Sequence, residues 1–146
     1  MTPLTGYRGS TRAASIGIIE PERLLIPFLS QLFSEAGFIV VTSLNAIKID
    51  ELARTEPANV FIDVDYLNID RSDEMTRLRA LLPDAVICGY TSNTSGSWAR
   101  ACVRAGINCV IAKAAAPAEI IDAVKHATRG STLIDPRISS DPDVPE

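Results

Sequence analysis

Five short runs rich in valine and isoleucine recur along the chain, each followed by a longer amphipathic stretch, and this alternation limits the fold more than any other feature. The runs are SIGII (15–19), FIVVTSL (38–44), NVFIDV (59–64), AVICGY (85–90) and CVIAK (109–113). Their apolar residues fall on successive positions rather than every second one, as expected of strands in a parallel sheet covered on both faces. The stretches between them read as helices. PERLLIPFLSQLFSEAG groups Leu24, Leu25, Phe28, Leu32 and Phe33 on one face and stops at Gly37, with Pro27 expected to kink or loosen its first turns. NAIKIDELARTE opens on Asn45 as an N-cap, and SDEMTRLRALLP has Ser72 or Asp73 as its cap and ends before Pro83. SGSWARACVRAG closes on Gly106; PAEIIDAVKHATRG starts with Pro117 in its first turn and closes on Gly130. Strict βα alternation predicts a flavodoxin-like, doubly wound α/β fold, (βα)5, with a five-stranded parallel sheet in the order 2-1-3-4-5. Its functional groups belong at the carboxyl ends of the strands.

At 146 residues the chain suits one domain with a real core. We expect a flexible tail over 1–14, the folded domain over 15–130, and a linker-like tail over 131–146, where SSDPDVPE carries two prolines and three acids. A net charge of −4 argues against nucleic acid as a partner, and no apolar run approaches a membrane span. Without a signal-peptide hydrophobic region the expected location is the cytoplasm. Cys88, Cys102 and Cys109 form no C-x-x-C pair and read as reduced, packed residues; with one histidine, His126, no zinc spacing exists. Trp98 and Phe28 read as packing groups, and His126 as a surface residue.

The residues just past the strands carry the chemistry. Strand 1 is followed by Glu20-Pro21-Glu22, strand 3 by Asp63 and Asp65, strand 4 by Thr91-Ser92, and strand 5 by Lys113. Singly, each has an ordinary structural explanation: turn-opening aspartates, a cap, a solvated lysine, a first-turn acid. Together, in order along one sheet edge, they form a set.

That set resembles the receiver domain of two-component response regulators, the CheY-like family, over roughly residues 14–130. EPANVFID is similar to the family's third strand ending in its phosphoacceptor, and Lys113 stands seven residues after Gly106, as in the family's fifth strand. RGSTLIDPRI resembles the linker that follows NarL-type receivers; no helix-turn-helix follows it before residue 146, so a receiver without its DNA-binding domain is expected. The resemblance implies Asp63 as phosphoacceptor, Thr91 and Lys113 as its catalytic companions, and Mg2+ held by Glu20, Asp63 and the backbone carbonyl of Asp65. It implies a histidine kinase or phosphotransfer protein as donor. A downstream protein, or a second copy in a homodimer, would meet the face made by helix 4, strand 5 and helix 5; there Arg100 and Arg104, and Lys125 and Arg129, each four apart, read either as a solvated face or as a basic contact stripe. The implied role is phosphorelay signalling rather than enzymatic turnover. A flavin- or nucleotide-binding reading is disfavoured, because EPER replaces a glycine-rich phosphate loop after strand 1.

Three departures stand against the family pattern. Pro21 replaces one of two adjacent acids after strand 1, which weakens the expected hold on magnesium. Ala114 follows the lysine where a proline is usual, and Val110 replaces the aromatic switch residue. They keep open an alternative, a pseudo-receiver that binds a protein partner without being phosphorylated.

Overall fold

The computed structural model describes residues 13–67, 69 and 73–138. The expected N-terminal tail lies outside them except for Ala13 and Ala14, as do Ser72 and the last residues of the expected C-terminal tail. The chain order is β1 (Ser15–Ile19), α1 (Leu25–Glu35), β2 (Ile39–Leu44), α2 (Ile49–Arg54), β3 (Asn59–Asp63), a 3-10 turn (Val64–Tyr66), α3 (Asp73–Leu81), β4 (Val86–Thr91), α4 (Gly96–Arg104), β5 (Cys109–Ala112), α5 (Pro117–Thr128) and β6 (Leu133–Ile134).

All strand pairs are parallel, and the sheet order is β2-β1-β3-β4-β5-β6. The doubly wound α/β architecture and the order of the first five strands agree with the sequence reading; the strand count does not. The sheet has six strands, because Leu133 and Ile134, within the stretch read as linker-like, pair with Cys109 and Val110. Asp135 secures that strand: its Oδ2 accepts the Ala112 N–H at 3.0 Å, and its Oδ1 accepts the Arg137 N–H at 3.0 Å. Ile138 then closes over the core with no exposed surface.

Strands β1, β3 and β5 are buried along their whole length, as successive apolar residues require. Alternate side chains feed two cores. One holds Ile19, Ile62, Ile87 and Val110 under α2, α3 and α4; the other holds Ile18, Phe61, Cys88 and Ile111 under α1 and α5. The three cysteines are buried and unbridged, and Trp98 packs on the first core. The edge strand β2 departs from the pattern, alternating exposed and half-buried residues.

The helix ends refine several expectations. Gly37, Gly106 and Gly130 stand just past helix ends at φ of +98°, +108° and +95°, a conformation that costs glycine little. Pro27 does not break the helix: α1 begins at Leu25, so the proline is its third residue, a position where a backbone N–H would have no acceptor within the helix. The turn before it is short-range, with the Leu25 N–H bonded to Glu22 O at 3.0 Å. That late start also leaves Leu24 84% exposed and Phe28 44% exposed, so neither is the packing group its spacing suggested; Leu29 and Phe33 fill the core instead. Asn45 caps nothing, because α2 starts only at Ile49.

Candidate functional site

Strand register brings the site together. Ile19 pairs with Ile62, so Glu20, one residue beyond β1, lies level with Asp63, the last residue of β3. Asp63 pairs with Tyr90 and Thr91 pairs with Ala112, which places Thr91 and Lys113 one step further along the same edge. The Lys113 N–H donates to Thr91 O at 2.7 Å and fixes the start of the β5–α5 loop. Glu20, Asp63, Asp65, Thr91 and Lys113 therefore meet at the carboxyl end of the sheet.

Glu20, Asp63 and Thr91 are the buried members, 0%, 1% and 0% exposed. Asp63 Oδ1 accepts the Asp65 N–H at 3.0 Å, opening the 3-10 turn as a strand-end aspartate ordinarily does. Its Oδ2 receives no well-directed hydrogen bond but meets the Lys113 ammonium at 2.7 Å as an ion pair. Glu20 Oε2 accepts the Glu22 N–H at 2.9 Å, while Oε1 is buried and receives no hydrogen bond. Burial pushes the Glu20 carboxyl up from 4.5 to about 7; the Glu22 N–H opposes this, and the neighbouring Asp63 adds to it.

The Asp65 carboxylate does not turn toward Glu20. Its Oδ1 accepts the Thr91 hydroxyl at 2.5 Å; its Oδ2 accepts the Ser92 N–H at 2.9 Å and the Ser92 hydroxyl at 2.8 Å. Lys113 bridges the two aspartates, 3.1 Å from Asp65 Oδ2. Burial by itself would raise the Asp65 pKa, but the bonds from Thr91, Ser92 and Lys113 outweigh it and the net shift is downward. For Lys113 burial favours the neutral amine, yet its bonds to Asp63 and Asp65 prevail and raise its pKa. The Lys113 ammonium also lies 5.6 Å from the Tyr90 ring centroid and 5.9 Å from that of Tyr66.

The side chains able to hold a cation are thus Glu20 and Asp63. Among the described residues no three His, Cys, Asp or Glu side chains converge as a metal centre. Two buried carboxylates, one with an oxygen that accepts nothing, nevertheless fit a hard cation that binds through one or two carboxylates and retains several waters, as magnesium does.

Comparison with solved structures identifies the architecture. A two-component response regulator of the LuxR family from Aurantimonas sp. SI85-9A1 superposes with a TM-score of 0.74 at 22% identity, over 86% of this chain and 92% of that one. The isolated REC domain of RcsB from Salmonella enterica serovar Typhimurium, in the presence of phosphomimetic BeF3-, gives 0.74 at 14% identity, over 86% and 96%. This is the receiver-domain fold. A LuxR family DNA-binding response regulator from Silicibacter pomeroyi shares it with a TM-score of 0.69 at 23% identity, over 85% and 98%. No protein-family profile matches the chain, and no curated protein matches it in sequence.

Within this receiver fold, Ser92 had no role read from the sequence beside Thr91, and the Asp65 side chain, which could have joined its backbone carbonyl on a metal, is instead taken up by Thr91, Ser92 and Lys113. The adjacency of Ser92 to Thr91, and of Asp65 to the buried aspartate, was the available signal. Tyr90 packs on Phe61 with ring centroids 5.1 Å apart, turned into the α1–α5 core, so its contact with Lys113 is through the ring.

Proposed function

We propose that this chain is a phosphoacceptor receiver of a two-component relay, taking a phosphoryl group on Asp63 in the cytoplasm. The observation that carries the reading is the buried Asp63 with Lys113 at 2.7 Å and Thr91 at the same sheet edge, in a receiver fold. In the transfer step a carboxylate oxygen of Asp63 attacks the phosphorus of a phosphohistidine donor. The new O–P bond forms as the P–N bond breaks, and the electron pair leaves with the donor imidazole. Lys113 then neutralises charge on the acyl phosphate, while the Thr91 hydroxyl and the Ser92 N–H donate to its oxygens. Glu20, Asp63 and the Asp65 carbonyl would hold magnesium, which would supply charge compensation between carboxylate and phosphate. The partners are a histidine kinase or phosphotransfer protein upstream and a binding protein downstream. The downstream face on α4, β5 and α5 exposes Arg100, Arg104, Lys125 and Arg129 and now includes β6 at its margin.

Intact mass after incubation with acetyl phosphate and magnesium tests the reading. One added phosphoryl group in the wild type and none in Asp63→Asn is the expected result. A folded wild type that gains nothing contradicts it. That outcome would favour the pseudo-receiver adaptor, the alternative kept open by Pro21, Ala114 and Val110.

A further inference from the structure

We infer that Asp65 is a resident anion for the phosphoryl-binding donors of this chain, holding the β4–α4 loop drawn in before any phosphoryl group arrives. The identity of the displaced ligand rests on the proposed function; the clamp itself rests on geometry. Its two carboxylate oxygens take up the Thr91 hydroxyl, the Ser92 N–H and hydroxyl, and one side of the Lys113 ammonium. Each of Thr91, Ser92 and Lys113 is a donor that an acyl phosphate on Asp63 would need.

The hydroxyl of Thr91 decides the matter, because it has a single proton. That proton is committed to Asp65, and the oxygen meanwhile accepts the Asn93 N–H at 2.9 Å. From there the constraint runs on: Asn93 Oδ1 accepts the Ser95 N–H at 2.9 Å, and Ser95 Oγ accepts the Trp98 N–H at the start of α4. The loop is thereby ordered from β4 to α4 around a carboxylate the chain supplies itself. A phosphoryl group would bring further negative charge into the same donor set, so Asp65 has to swing away before those donors can serve it. Asp65 is exposed enough to do so, its side chain being 22% accessible, whereas Asp63 is fixed in the core.

Amide hydrogen exchange on the full chain, without metal or phosphoryl donor, tests the clamp. In Asp65→Ala the Ser92 amide is expected to exchange at least about tenfold faster, since its acceptor is gone, while β1 and β3 amides keep their protection. Unchanged Ser92 exchange in the folded variant overturns the inference. Asp65→Leu, which keeps a similar shape but offers no acceptor, answers the same question should the alanine variant not fold. Adding beryllofluoride with magnesium separates this from the phosphoacceptor reading. Half-saturation by beryllofluoride, read in both proteins by 19F NMR of the bound fluorides, at a lower concentration in Asp65→Ala than in wild type supports competition for the donors. Equal concentrations for both proteins overturn that competition. If neither protein binds beryllofluoride, the phosphoacceptor reading fails, and the ligand-free comparison still decides whether Asp65 holds the loop.

Discussion

At Glu20 a carboxyl group is withdrawn from water, with one oxygen held by the Glu22 N–H and with Asp63 as its neighbour. Its pKa of about 7, against an ordinary 4.5, means the folded chain holds this proton more tightly than the unfolded chain does. The linked stability is therefore complete below about pH 4.5, is lost as pH rises toward 7, and is absent above. Without divalent cations, unfolding free energy is expected to fall between pH 5 and 8 by up to about 3 kcal/mol. Glu20→Gln, neutral throughout, should flatten that slope in urea titrations; a wild-type slope of opposite sign would show that Glu20 is not the group concerned. Magnesium should oppose the loss by stabilising the ionised form. The position of Glu20 in the strand 1 loop was legible in the sequence, but its depth was not. Depth follows from the pairing of Ile19 with Ile62, a contact between distant parts of the chain.

Among the elements, β6 shows where local pattern runs out. Strands β1 to β5 were legible because valine and isoleucine cluster in runs long enough to stand out from their flanks. Leu133 and Ile134 are only two residues in a polar setting, and they become a strand because β5 leaves an open edge beside them. Asp135 and Ile138 complete the attachment, one capping a backbone N–H and the other filling the core. Ile138→Ala should cost about 3 kcal/mol of folding stability, the usual consequence of emptying a fully buried aliphatic site. Denaturant unfolding checks it, and a loss near zero would mean that the segment contributes nothing to the fold. Pro27 teaches the converse lesson. The helical period spanned it correctly, but the start of α1 was set by the loop after Glu20 rather than by the period.

For the whole molecule, the sheet brings together residues from four strand ends, and two cores keep the underlying strands rigid. Asp63, Thr91, Lys113 and Glu20 could be found from the sequence because each follows directly on an apolar run. The choice Asp65 makes between Glu20 and the β4–α4 loop could not, since it depends on which donors the folded edge presents. The central claim is that Asp63, rather than its more exposed neighbour Asp65, accepts the phosphoryl group. Borohydride reduction of protein treated with acetyl phosphate and magnesium converts an acyl phosphate to a hydroxyl, turning the modified aspartate into homoserine. Peptide mass spectrometry should then find homoserine at position 63 and unaltered aspartate at 65. Homoserine at 65, or at neither position in folded protein, would contradict the account.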